Sequence, residues 1–415
     1  MKTIGITGTG FIVRTAHLPG LAACKNLLVK GFHDIDINAA KAAKQRYLTL
    51  LAKAKNPVLD VAVKETKTYD DLSTMLDDVD AVDICTPPKH HVMALGLAVE
   101  RAKHVACEKP LARNWWALEA SPSIGKGIKA KKLAFQLHTQ AIWNPLIEAG
   151  RDAVQSGIIG EIEKIRVLHQ TADPKHAMNL ASLWDMHHAG GGALMDIGPH
   201  AYSVMWYWLG TRWTPVATEA KLLKATVPVR TIASIPNTRI TVEDDAHIII
   251  AWRDKKGKEI TGDLEATWNQ KDWCDGDVGT NLEPTLYYEV HGTKGTLTFP
   301  NIVPSNSKPT SLEVGFNVMA ADGSKSFLGH PIPMKRIEES IFFEELESAI
   351  TSGGPTRNNF KFSEDMLAVF GAAYLSKKNG GVRTTLDEFK RFARDNATPD
   401  APVEHQVSAI IDALQ

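Results

Sequence analysis

Three places in the 415-residue chain gather residue types able to move a hydride and a proton. Gly8-Thr9-Gly10 follows an apolar run, Lys109 stands between Glu108 and Pro110 at the end of another, and Asp196 precedes His200 by four positions, just after Gly190-Gly191-Gly192. Oxidising a secondary alcohol needs a base that reaches the hydroxyl proton and a positive group that holds the developing alkoxide. An imidazole can serve as the base with a carboxylate orienting the hydroxyl, and an ammonium can hold the oxygen. Desolvation at a strand end would also lower the Lys109 pKa toward neutrality. Plainer readings stand beside these: a solvated surface lysine, and an N-cap aspartate followed by a buried histidine. The spacing of Ala201, Val204, Met205, Trp208 and Leu209 predicts a helix from near Gly198, with Asp196 placed to cap it. The glycine run favours chemistry, since three glycines permit a backbone to approach a ligand closely.

These groups need elements to hold them. Lys2 to Thr7 reads as a buried strand, and Ile12, Val13, Ala16, Leu18, Leu21 and Ala22 repeat at helical spacing after it, interrupted by Pro19 and Gly20. In that context Gly8 permits a tight turn and Gly10 admits a pyrophosphate, while the helix start at Phe11 and Ile12 presents free N–H groups. Val13 occupies the third fingerprint position, where glycine or alanine is usual, and predicts looser helix–strand packing. A second strand, Leu27 to Phe32, ends at His33-Asp34-Ile35-Asp36. A carboxylate there suits the adenosine ribose and repels a 2′-phosphate, which favours NAD over NADP. Asp34 is the first candidate and Asp36 its competitor; either could be a solvated turn carboxylate. Further strands are expected at Ala81–Thr86, His104–Cys107 and Leu133–Gln136, with a helix over His91–Arg101. Strand and helix alternate over about 135 residues, which predicts a doubly wound parallel sheet. Its ligands lie beyond the carboxyl ends of the strands, where Gly8, Asp34, Thr86 and Lys109 all fall.

From about Asn144 the pattern changes. Strand-like runs at Ile162–His169, Thr241–Trp252, Thr285–His291 and Gly295–Phe299 are separated by turns, Asn301–Pro309 reads as a loop, and Ile337–Ile350 and Ser363–Lys378 read as helices. The expected domains are therefore 1–143 and 144–415. Trp206, Tyr207, Trp208 and Trp213 suit a core or interface better than a sugar platform, whereas Trp184, Asp185 and His188 suit the substrate side, because sugars pack on aromatic faces with polar rims. His176, Asp185, His187 and His188 lack the spacing of a metal-binding helix, so no metal is expected. A formal charge of −1 gives no whole-chain field for nucleic acid or an anionic membrane, and the apolar runs are too short to span a bilayer. The N-terminus enters a strand directly and the four cysteines are scattered, so a cytoplasmic chain without a leader is expected.

Ile84-Cys85-Thr86-Pro87 with His91, then His104 to Ala112 with its Glu108-Lys109-Pro110, resembles the Gfo/Idh/MocA oxidoreductases, which include inositol and sugar dehydrogenases. Gly190 to His200 resembles that family's second signature, with the acid-to-histidine spacing of its inositol dehydrogenases. The resemblance implies an N-terminal Rossmann domain and a C-terminal α/β domain with a large open, mostly antiparallel sheet that often mediates homo-oligomers, dimers or tetramers. It places Lys109 at the substrate and nicotinamide, Asp196 and His200 beside the reacting hydroxyl, and Thr86, Pro87, His91 and Glu108 at the cofactor. Two departures bear on substrate identity: Pro88 replaces a usual Asn, and the segment from Phe135 lacks a frequent Arg, leaving Gln136 and His138 as substrate candidates. The expected activity is NAD-dependent hydride transfer from a secondary alcohol or hemiacetal carbon of a sugar, sugar derivative or cyclitol. His200 would act as base, Asp196 would orient the hydroxyl and Lys109 would stabilise the alkoxide. The alternatives are an NAD-using glycosidase with transient oxidation, and a non-catalytic NAD-binding protein.

Overall fold

Short runs of β-branched and apolar residues, buried on both faces, are what a parallel sheet covered by helices requires. Runs of this kind form most of the six-stranded first sheet in a computed structural model of the chain, which describes residues 1–171, 181–225, 242–268, 286–299, 311–333 and 338–415. Its strands are β1 (Lys2–Thr7), β2 (Leu27–His33), β3 (Lys67–Tyr69), β4 (Ala81–Ile84), β5 (His104–Glu108) and β6 (Phe135–His138). Their order is β3-β2-β1-β4-β5-β6, all parallel, so chain direction across the sheet reverses at β1 and β4. That is the doubly wound arrangement whose crevice binds dinucleotides. The last strand lies two residues later than its apolar run suggests, and β3, an edge strand of three residues, has no periodicity by which it could be read.

The helix after the first glycine turn is unbroken from Phe11 to Ala23. Val13–His17 forms a wider π-helical turn, and α1 (Leu18–Ala23) follows directly, with Pro19 just past the π turn, where the regular bonding ladder is already interrupted. Gly20 is there for contact: a Cβ on it would stand 2.5 Å from the Cβ of Glu339. Asp36 caps α2 (Ile37–Ala54) by accepting from the Asn38 N–H.

The chain divides into two compact units, 1–143 with 336–364, and 144–335 with 365–415. A boundary at 143/144 therefore needs one correction. The helix Glu338–Ser352 returns to the first unit because Phe342 and Phe343, both fully buried, pack on His138 at 3.6 and 5.5 Å between ring centroids. Burying side chains of that size contributes about 2 kcal/mol each.

Among the described residues the second unit holds a nine-stranded sheet. Its strands are β7 (Ile162–Gln170), β8 (Trp213–Lys224), β9 (Asp245–Asp254), β10 (Glu259–Thr267), β11 (Leu286–Gly292), β12 (Gly295–Phe299), β13 (Ser311–Ala320), β14 (Lys325–Pro333) and the two-residue β15 (Thr384–Thr385). The order is β14-β13-β12-β11-β7-β10-β9-β8-β15, antiparallel except for β7 with β10. The helix Gly198–Leu209 packs on β7 and β10, burying Tyr202 and Trp208 completely, with Tyr202 stacked on Trp252. Trp213 and Tyr207 are buried too, so the aromatic cluster is largely core. The loop expected at Asn301–Pro309 lies outside the described residues, as do His176 and Cys274.

Candidate active site

In the first unit the dinucleotide features converge on the carboxyl edge of the sheet. Gly8 has φ +82°, and a Cβ there would lie 2.7 Å from the Cys85 backbone, so only glycine lets the turn press against the end of β4. A Cβ on Gly10 would meet nothing within 4 Å, which leaves open space over the helix start. Thr9 donates to Asp34 Oδ2 from its N–H at 2.6 Å and from its hydroxyl at 2.8 Å, while the Asp36 N–H reaches Asp34 Oδ1 at 3.0 Å. Partial burial pushes the Asp34 pKa up, but these donors outweigh it and hold the carboxyl below its usual range. Asp34 is thus an oriented, ionised carboxylate, and Asp36 is spent on its helix cap. The Thr86 hydroxyl is buried at the end of β4 and has no hydrogen-bond partner among the described residues, and Phe11 stands 53% exposed beside Gly10. An open glycine turn, an oriented acid and an orphaned hydroxyl fit the phosphates and ribose of NAD.

Other expected cofactor residues act at one remove. His91 is fully buried, with Nδ1 2.9 Å from the Pro110 carbonyl and Nε2 2.5 Å from that of Thr86. It ties the loops after β4 and β5 together, and burial lowers its pKa. Glu108 is 8% exposed; Oε2 accepts the Lys109 N–H at 3.0 Å and Oε1 faces His17 Nε2 at 2.9 Å. The polar atoms of both residues are engaged by protein groups. His138 needs a firmer correction as a substrate candidate. It is 1% exposed, and its ring lies between His17 at 4.0 Å and Phe342 at 3.6 Å, inside the first unit's core. Gln136 is likewise buried and donates to the Phe342 carbonyl.

The residue that sequence reasoning missed here is His17. It is fully buried between Asp83 and Glu108. Two signals were available: His17 falls four residues from both Val13 and Leu21 on one apolar helical stripe, and Asp83 interrupts an apolar strand.

In the second unit, Asp196 does not cap the helix after it. It ends the short helix Ala193–Asp196, the next helix begins without a side-chain cap, and Asp196 Oδ2 accepts instead from Trp268 Nε1 at 3.0 Å. Helical hydrogen bonds continue across the junction, from Ile197 N–H to Ala193 and from Ala201 N–H to Ile197, so Asp196 and His200 share a face. The His200 ring lies parallel to that of His169 at 6.4 Å. His169 bonds the Tyr288 hydroxyl at 2.9 Å, and burial drops its pKa to about 3, so it stays neutral.

The glycine run has a different purpose from the one expected. A Cβ on Gly191 would fall 2.0 Å from the Tyr374 hydroxyl, and one on Gly192 1.8 Å from the Glu243 carbonyl. These glycines admit protein rather than a ligand. Glu243, also missed, is 4% exposed and accepts from the Gly192 and Leu194 N–H groups at 3.0 Å and from the Tyr374 hydroxyl at 2.9 Å. It braces the segment that carries Asp196. Burial raises its pKa against those donors.

Of the expected substrate residues, Trp184 is 1% exposed and packs on Trp268 at 4.9 Å, so its face is not an open sugar platform. Asp185 caps the helix Met186–Ala189 and pairs with the exposed His188 at 2.6 Å, while His187 pairs with Asp412 at 3.0 Å. Lys109 belongs to the first unit and Asp196 and His200 to the second.

Residues 2–122 match the family model described as an oxidoreductase family with an NAD-binding Rossmann fold, and residues 147–298 match the Gfo/Idh/MocA C-terminal domain. A levoglucosan dehydrogenase of Pseudarthrobacter phenanthrenivorans is 27% identical over 247 residues, 55% of this chain and 58% of that protein. An inositol 2-dehydrogenase of Rhizobium meliloti is 25% identical over 288 residues, 69% and 74% of the two chains. A solved levoglucosan dehydrogenase in complex with NADH and levoglucosan shares the fold, with a TM-score of 0.69 and 20% identity over 93% of this chain and 99% of that one. The chain belongs to the Gfo/Idh/MocA family of NAD-binding oxidoreductases and is related to its sugar and inositol dehydrogenases.

Proposed function

We propose that the protein oxidises a secondary alcohol or hemiacetal carbon of a sugar, sugar derivative or cyclitol, and that Lys109, Asp196 and His200 carry the reaction. Bound NAD supplies the hydride acceptor. His200 removes the hydroxyl proton, Asp196 orients that hydroxyl, and the Lys109 ammonium holds the developing alkoxide. The observation that carries this reading is the bond from Trp268 to Asp196, which turns an acid that could have been a helix cap into a fixed group one helical turn from a histidine. Asp185 and His188 offer a polar rim for further hydroxyls. The Asp34 carboxylate favours NAD over NADP, and Ile35 beside it, fully exposed, gives an adenine an apolar surface. The relatives that are levoglucosan and inositol dehydrogenases support an unphosphorylated, neutral polyol.

The open sheet of the second unit carries charge pairs across its strands, Lys164–Asp263–His247 and Arg166–Glu265, and supports assembly as a homo-oligomer through that face. Cys24, Cys85 and Cys107 are free thiols, which supports a reducing, cytoplasmic setting. Monosaccharides, anhydrosugars, inositols and sugar acids offered with NAD test the activity directly. NADH accumulating with one of these classes supports it, whereas consumption of a glycoside without NADH would favour the glycosidase reading.

A further inference from the structure

We propose that His17 is a positioning residue for Lys109: it bridges Asp83 and Glu108, and through Glu108 it fixes the backbone at the end of β5. The inference rests on the proposed role of Lys109 in the reaction. Three hydrogen bonds make a chain across the first unit. His17 Nδ1 lies 2.7 Å from Asp83 Oδ2, Nε2 lies 2.9 Å from Glu108 Oε1, and Glu108 Oε2 accepts the Lys109 N–H at 3.0 Å. The side chains of His17 and Asp83 are wholly buried and that of Glu108 is 10% exposed.

The sheet does not need this chain for its own cohesion. β4 and β5 are already paired through Ile84 and Cys107. What the bridge adds lies past the last paired residue, where Lys109 leaves the ladder. His17 also sits on the helix that starts at the Gly8–Gly10 turn. One side chain therefore links the element that opens over the dinucleotide phosphates to the strand end that carries the ammonium.

The ring's surroundings dictate its charge. A neutral imidazole has one N–H and can donate to only one of two carboxylates, whereas the imidazolium donates to both. The groups facing His17 are Asp83 from β4, Cys85 just beyond it, Glu108 from β5, His138 stacked on the ring, and Phe343 at its edge. Burial opposes the positive charge, but the Asp83 carboxylate, 2.7 Å away, outweighs it and holds the pKa well above that of ordinary histidine, with the Cys85 sulfur a neutral acceptor at 3.4 Å. The Cys85 thiol itself is pushed up by burial and stays protonated. The same side chains do not make a metal site as arranged. Ligands on a tetrahedral zinc would stand roughly 3.3 Å apart at bond lengths near 2 Å, and the 2.7 and 2.9 Å separations here are those of hydrogen bonds.

Because the folded-state pKa is raised, the bridge persists until pH rises through the folded value, and the stability it contributes is full below the ordinary histidine pKa and lost over that rise. Two measurements test the assignment on the full-length enzyme. Nitrogen-15 NMR of the histidine side chains, with His17→Gln as the assignment control, should show both His17 nitrogens protonated at neutral pH; a single neutral tautomer would overturn the proposal. In a cycle of His17→Gln, Glu108→Gln and the double variant, His17→Gln should lower kcat about 10- to 100-fold, as small misplacements of reacting groups do, and leave NAD affinity within about threefold. The double variant should then be no worse than the poorer single one, and the alkaline limb of the pH–kcat profile that depends on His17 should vanish. Additive losses, or an unchanged profile, would overturn it. Full activity in Lys109→Ala would instead refute the proposed role of Lys109, while the NMR result would still report on the bridge.

Discussion

Asp34 is the residue whose environment most plainly sets its chemistry. The N–H and hydroxyl of Thr9 orient one carboxylate oxygen and keep the group ionised, and as the proposed ribose acid it would set both the shape and the charge of that site. Asp34→Asn keeps the outline, removes the charge and turns its NH2 toward one of the N–H groups that the carboxylate accepts from. We expect NAD affinity to fall about 10-fold, the value of one charge-assisted hydrogen bond, and discrimination against NADP to relax. Calorimetric titration with both dinucleotides reads this, and an unchanged NAD-to-NADP ratio would count against Asp34 as the ribose acid. The same residue was legible in the sequence because it ends a strand soon after a glycine turn. His17 and Glu243 were not, since a buried polar side chain declares itself only through partners far away in the chain: Asp83 and Glu108 for the one, Tyr374 for the other.

Elements were legible where a buried strand runs into a glycine or proline, and this covers β1, β4 and β5, whose ends carry the candidate site residues. They were obscure where long-range packing decides. Glycines at 190–192 look alike in sequence whether they admit a ligand or a neighbouring strand; here the Glu243 backbone and the Tyr374 hydroxyl occupy the space. Gly192→Ala must therefore displace backbone at a contact of 1.8 Å, a strain of about 3 kcal/mol. Thermal unfolding should show Tm lowered by at least about 5 °C; an unaltered Tm would mean that the segment is looser than described. Glu243 makes a second prediction for this brace. Its pKa is raised by burial, so its contribution is complete below the ordinary glutamate pKa and is lost as pH rises through the folded value. Glu243→Gln imitates the protonated acid, and its Tm should decline less than that of the wild type between acid and neutral pH. Parallel declines would contradict the shift.

At the scale of the molecule, the return of residues 336–364 to the first unit was hidden because nothing local marks it; Phe342 and Phe343 read as any amphipathic helix until their neighbours His138 and His17 are known. If, as proposed, the charge pairs across the second unit's sheet mediate assembly, size exclusion with light scattering should show a dimer or tetramer that dissociates when Arg166 and Lys164 are both replaced by Glu; a monomeric wild type would contradict it. The central proposal is that Lys109, Asp196 and His200 carry the hydride transfer. Single-turnover formation of NADH at saturating NAD tests it most directly, with the sugar or cyclitol found by the screen. The rate should fall at least about a thousandfold in both Lys109→Ala and His200→Ala with NAD binding preserved, and near-normal rates in both variants would refute it.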